Sequence, residues 1–304
     1  MNSLISPPIS ARTALQWQHF WQTSLQSAGI VSLSAGAIFF LAANWQHMSR
    51  WQRFGLFEAL FLLCAVLAWR KSAASTSGAL GLTGLTVLTG VLFGLFGQTF
   101  QTGANTYELF FAWAALSTPF AWLSRQPGLW AFWCVILNIA LTLYAQTRSD
   151  WLFLPQFSYS VNWLVLGVIN LMLAWVFLLR LRSEWLCRFL LVCAAAFVTT
   201  GSLGMVFGSN GGQFAGILYL ASCVALVAFS WHAKPRDIFA ITLLAFNLII
   251  TSTALFARNS EFNDIGVFFA LSFWVLLSSG IAFSVLLKLH RLWHGEANTP
   301  ANMS

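Results

Sequence analysis

The sequence predicts an all-α, polytopic integral membrane protein of about ten transmembrane helices, with short loops and both termini on the cytoplasmic side. Three observations lead there. Of 304 residues, 59% are hydrophobic and only 8% charged; a soluble globular chain carries about 25% charged residues, so too few polar side chains exist to cover a water-exposed surface. Apolar runs of about 20 residues, the length that crosses hydrocarbon at the rise of an α-helix, recur along the chain between brief polar connections. Lys and Arg then sort onto alternate sides of those runs. Disorder is excluded by the 29 Phe and 16 Trp.

The segment 1–24 differs from the spans. Ser10 can cap a helix, and Ala14, Trp17, Phe20 and Trp21 follow at i, i+3, i+4 spacing with Gln16, Gln18 and Gln22 between them. This predicts a short amphipathic helix in the inner interface. The first apolar run starts only at Leu25 and lacks a small-x-small cleavage site, so a cleaved signal peptide is not expected.

Ten spans follow: 25–44, 54–69, 80–98, 106–123, 128–145, 161–179, 189–208, 214–231, 238–257 and 266–287. They divide into two five-helix halves, 25–145 and 161–287, before a cytoplasmic tail, 288–304. The side shared with the N-terminus carries Arg12, Arg70, Lys71, Arg125, Arg180, Arg182, Arg188, Lys234, Arg236, Lys288 and Arg291; the other side carries Arg50, Arg53, Arg148 and Arg258. The positive-inside rule therefore places both termini in the cytoplasm. The net charge of +7 follows from this topology and needs no nucleic-acid partner. Trp45, Trp51, Trp151 and Trp163 fall at outer ends, and Trp69, Trp122, Trp130, Trp185, Trp231 and Trp293 at inner ends, where an apolar ring with one N–H suits the headgroup boundary.

Polar residues in hydrocarbon must find partners, so they are the informative ones. Only Glu58 and Glu108 are carboxylates within or at the edge of a span, both on the outer half. Glu58 lies five residues beyond Arg53, about 7–8 Å along a helix. Around them, the outer ends of the first four spans carry Asn44, His47, Arg50, Arg53, Gln98, Gln101 and Asn105. An Arg against the charge bias is better tolerated beside an acid, so Arg50 and Arg53 are expected to meet Glu58 and Glu108. The cluster is either a set of salt bridges tying two hairpins together or an outward-facing polar pocket.

Gly90-x-x-x-Gly94 in the third span and Gly204-x-x-x-Gly208 in the seventh are expected to let neighbouring backbones approach. Pro119 in the fourth cannot donate to the carbonyl of Ala115, so a kink is expected. Asn138, Asn170 and Asn247, in mid-span, are read as hydrogen bonds between helices. The five cysteines form no CxxC pair, so neither a disulfide framework nor a metal site is expected. No phosphate-binding loop, nucleophile elbow or zinc-protease motif occurs. The expectation is that the chain is not an enzyme and carries no cofactor.

Phe40-Leu41-Ala42-Ala43-Asn44-Trp45 with Trp51-Gln52-Arg53, then Gly97-Gln98-Thr99-Phe100 with Leu109-Phe110-Phe111-Ala112-Trp113 and Pro119, resembles the first two hairpins of a bacterial predicted-membrane-protein family of unknown function. The resemblance covers the first four or five spans, about residues 10–145. The family pattern usually has Tyr where Phe100 stands. The resemblance implies a protein of the bacterial inner membrane, often beside a second membrane protein with a periplasmic domain, and no established activity. Two five-span halves of opposite topology are also the architecture of many secondary transporters. The leading expectation is thus a secondary transporter of a small solute with an outward-facing polar pocket. The alternative is a non-transporting scaffold or sensor subunit docking a periplasmic or membrane partner.

Overall fold

The computed structural model describes residues 45–73, 75–100, 103, 105–124, 126–147, 158–208, 212–233, 237–260 and 265–295, with isolated positions between 17 and 43. Most of the first predicted span, together with Asn44 and Gln101, lies outside the described residues. Among the described residues there is no strand. A short 3-10 turn, Trp45–His47, precedes nine long helices: α1 Arg50–Arg70, α2 Thr76–Phe100, α3 Thr106–Ser124, α4 Pro127–Thr147, α5 Tyr159–Arg180, α6 Glu184–Phe207, α7 Gly212–His232, α8 Ile238–Arg258 and α9 Ile265–Gly295. All but α3 are long and apolar enough to cross a membrane. In hydrocarbon only a helix satisfies its own backbone, which is why uninterrupted apolar runs adopt this form.

Helix starts follow local chemistry. Ser49 and Gln52 form a capping box at α1: the Ser49 amide donates to Gln52 Oε1 at 2.8 Å, and the Gln52 amide donates to Ser49 Oγ at 3.3 Å. Asp237 caps α8 by accepting the Phe239 amide at 3.0 Å. Hydroxyls inside the helices turn back on the preceding turn, as Thr86 Oγ1 does to Leu82 O and Ser230 Oγ to Leu226 O. Helix α5 ends at a tight turn in which Arg182 takes a left-handed φ of 49°. Only Leu181, Arg182 and Ser183 separate α5 from α6.

The chain divides into two compact units, residues 1–60 and 61–304, and α1 passes from one into the other. In the first, the described residues are the 3-10 turn, the capped start of α1 and scattered helical positions, among them the exposed Trp17 and Trp21. In the second, α5 against α6 is the most extensive helix pair, with α3 on α4 next. The main core joins Cys134 of α4, Leu171, Ala174 and Phe177 of α5, Leu186, Leu190 and Ala194 of α6, Leu226 and Phe229 of α7, and Ala240 and Leu244 of α8. A separate cluster joins Leu82 and Leu85 of α2, Ala121 of α3 and Leu129 of α4 to Phe61, Cys64 and Ala68 of α1. Helix α9 contacts α8 and turns Phe268, Phe269, Phe273, Leu276 and Phe283 outward. Such a surface suits lipid tails and not water.

Two boundaries differ from the sequence reading. Helix α1 starts at Arg50 and not at 54, because the Ser49–Gln52 box carries both arginines into the helix. Helix α9 continues through Lys288 to Gly295, so the segment after 287 begins as helix.

Candidate functional site

The residues expected to form the outer polar cluster fall in two groups. In the first unit, Arg53 folds back over the turn before α1. Its Nη2 donates to the Trp45 carbonyl at 2.6 Å, and its guanidinium carbon lies 4.6 Å from the centre of the Trp45 ring. Trp45 also meets Phe57 with ring centres 6.3 Å apart. The Trp45 and Arg53 halves of the first hairpin motif are therefore one local latch. A carbonyl oxygen and an aromatic face hold the cation where an acid was expected. His47, Arg50 and Glu58 are exposed, and neither arginine forms an ion pair with Glu58. Because α1 begins at Arg50, Glu58 is the ninth of its 21 residues. That places it about 12 Å along the helix, nearer the middle than the sequence reading put it.

In the second unit, Asn105 precedes α3 and donates from Nδ2 to Glu108 Oε1 at 3.1 Å and to Tyr107 Oη at 3.4 Å. The Glu108 amide donates to the Asn105 carbonyl at 3.0 Å. Glu108 thus stands in the first turn of α3, where a negative charge faces the positive end of the helix dipole. Tyr107 packs beneath it, its ring 5.2 Å from that of Tyr144 in an edge contact. Gln98 is exposed near the end of α2.

The glycines behave individually. Gly90 receives the indole of Trp113 on its bare backbone, and Trp113 Nε1 donates to the Thr86 carbonyl at 2.7 Å. Gly94 has nothing within 4 Å of where a Cβ would stand. Gly204 faces Ser160 Oγ, 2.9 Å from that position, whereas Gly208 lies just beyond α6 in extended backbone. Another close seam runs between α5 and α6: a Cβ on Gly201 would stand 2.7 Å from Leu164 Cγ, and one on Gly167 2.6 Å from Val198 Cγ2. Pro119 lies inside α3. One turn earlier the Ala114 carbonyl accepts both Thr118 Oγ1, at 2.9 Å, and Trp133 Nε1 from α4, at 2.8 Å. Ser117 Oγ is buried without a partner.

The mid-span amides pair between helices. Asn170 of α5 donates to Asn138 Oδ1 of α4 at 2.7 Å, and Asn138 donates back to Asn170 Oδ1 at 3.0 Å. Tyr219 of α7 donates to Asn247 Oδ1 of α8 at 2.8 Å, and Asn247 Nδ2 donates to Thr199 Oγ1 of α6 at 2.8 Å. One turn on, Ser202 and Thr251 share a hydroxyl hydrogen bond of 2.8 Å. At opposite ends of the α6–α8 pair, Arg188 meets Asp237 at 3.1 Å and Arg258 donates to the Val206 carbonyl. Sequence reasoning missed Tyr219, Thr199 and Thr251, since a Tyr or Thr in an apolar run gives no signal until its partner is known.

These helices define an integral membrane protein with several spanning segments. Residues 9–130 match the model of a family described as "Predicted membrane protein (DUF2157)", a family of unknown function. The match ends in the first turn of α4, so it covers the first two hairpins and only the start of the fifth predicted span. Neither a curated protein nor a solved structure matches the chain.

Proposed function

We propose that this chain is a non-transporting scaffold subunit of the bacterial inner membrane, with both termini cytoplasmic. Its outward polar residues on the first two hairpins dock a partner membrane protein with a periplasmic domain. One observation carries this reading. The mid-span amides of α4, α5 and α8 are spent on one another or on neighbouring hydroxyls, in a seam closed by small residues. A solute path needs polar groups left free to exchange with cargo, whereas these amides act as fixed bolts. The basic residues support the orientation, and no residue set supports catalysis.

Transport is the second reading, and Glu58 favours it. A carboxylate near the middle of a spanning helix is the usual mark of a proton-coupled site. Purification from native membranes, followed by reconstitution into proteoliposomes under an imposed proton gradient, separates the two. A scaffold brings a stoichiometric membrane partner and carries no Glu58-dependent proton flux. A flux that Glu58→Gln abolishes in a normally folded protein would overturn the scaffold reading.

A further inference from the structure

We infer that the shared end of α3, α4 and α5 is a binding site for an anionic phospholipid, with its phosphate held by Arg180, Trp122 and Trp130. A groove of about 510 Å³ opens there, lined by Trp122, Trp130, Val176, Phe177, Arg180 and Leu181. Three separate helices build it. Trp122 stands two residues before the end of α3, Trp130 is the fourth residue of α4, and Arg180 is the last of α5. All three lie within about one turn of a helix end, the depth at which lipid phosphates meet the hydrocarbon.

The walls are unlike a generic lipid-facing surface in two ways. First, every polar side chain they offer is a donor: two indole N–H groups and a guanidinium, with no carboxylate or side-chain oxygen among the lining residues. Among the described residues, Arg180 has no ion-pair partner, while Arg188, the nearest basic residue on α6, is taken up by Glu184 and Asp237. Side chains that only donate complement an anion rich in acceptor oxygens. Second, the donors are mounted on a prebuilt frame. Trp130 is wedged between Phe177, at 5.0 Å between ring centres, and Trp133, at 5.5 Å. Trp133 is itself anchored to the Ala114 carbonyl. The remaining walls are apolar: Val176 and Phe177, about one turn back along α5, and Leu181, just after it. An inorganic anion has no use for them, but the first methylenes of an acyl chain do. The occupant that satisfies both halves of the groove is a phospholipid with net negative charge.

The test uses the full chain purified in a neutral detergent, with native mass spectrometry and thermal unfolding as readouts. Phosphatidylglycerol, phosphatidylcholine and inorganic phosphate are added separately. Phosphatidylglycerol should be retained and should raise the midpoint, with phosphatidylcholine and phosphate giving little. Arg180→Gln should weaken phosphatidylglycerol retention about five-fold or more, the scale expected for one cation near anionic headgroups. Arg180→Lys should restore part of it, and Trp122→Phe should weaken it by removing one donor from an exposed ring. Lys288→Gln, a charge loss on another helix, should leave it unchanged. The variants' unfolding midpoints without lipid report whether they fold. Equal retention of both lipids, an Arg180→Gln protein that binds like the parent, a phosphate effect as large as the lipid's, or a second protein copy occupying the groove in place of lipid would each overturn the assignment.

Discussion

The reciprocal amide pair between Asn138 and Asn170 sets a measurable expectation. Asn170 is fully buried, and its amide both gives and receives across the α4–α5 contact. Asn138 keeps an intrahelical bond to the Cys134 carbonyl, and Asn170 one to the Leu166 carbonyl, whatever happens to the other. Replacing either by Ala therefore deletes two interhelical bonds and leaves one amide oxygen without its donor. Interhelical hydrogen bonds in membranes average about 0.6 kcal/mol and reach about 1.7. Two together give a coupling of about 1–3 kcal/mol, roughly 5- to 150-fold in the unfolding constant. The double-mutant cycle of Asn138→Ala and Asn170→Ala, followed by reversible unfolding in mixed micelles, isolates that coupling from the cavities the truncations leave. A cycle that closes within about 0.3 kcal/mol would show that the two amides do not hold each other, and the view of them as bolts would fall with it.

Three further outcomes are expected. Arg53→Gln should destabilise by about 1–2 kcal/mol through loss of the Trp45 ring contact and carbonyl bond, and Trp45→Leu should reproduce the loss of the ring contact in thermal melts. Gly201→Ala should cost about 1–3 kcal/mol by overpacking against Leu164, and Gly90→Ala should expel the Trp113 indole, visible as a red shift in Trp fluorescence. Gly94→Ala, with open space at its Cβ position, should leave both readouts near the parent. Asp237→Asn should keep most of the α8 cap while losing the half-exposed Arg188 pair, costing under about 1 kcal/mol; Asp237→Ala should lose the cap as well, about 1 kcal/mol more, measured by the same unfolding assay.

Eight of the ten expected spans were legible because hydropathy in a membrane protein is a direct reading of the solvent. Their ends were less so. Arg50 and Arg53 read as loop because charge interrupts an apolar run, although the Ser49-x-x-Gln52 box was there to mark a helix start. The partner of Arg53 was misjudged for a related reason. Charges suggest charges, whereas a guanidinium next to a Trp eight residues back can satisfy itself on a ring and a carbonyl. For Asn138, Asn170 and Asn247 the kind of interaction was legible, but which side chains meet depends on helix rotation that no local pattern encodes. The glycine spacing was a partial guide. Gly90 and Gly204 are packed, but a further close seam pairs Gly167 with Val198 and Gly201 with Leu164. Antiparallel neighbours match positions whose numbers have a nearly constant sum, and a four-residue repeat within one helix cannot show that.

Where the polar groups are spent follows from the same solvent argument. Deep in the helices an unpaired amide costs several kilocalories per mole in hydrocarbon, and there Asn138, Asn170, Tyr219, Asn247 and Thr199 are all closed on protein partners. Near the helix ends water and headgroups lower that cost, and there exposed polar side chains persist: His47 and Arg50 at the start of α1, Gln98 near the end of α2, and Arg180 with Trp122 at the ends of α5 and α3. This arrangement agrees with the proposal that partners and lipid are met at the membrane boundary. Ser117 Oγ, buried in α3 without a partner, departs from the pattern, and so does Glu58, a carboxylate near the middle of α1. The rule predicts that a polar group from a partner covers Glu58 when the protein works. Glu58→Gln tests this: loss of the partner with stability intact supports the contact, and partner binding that survives the substitution refutes it.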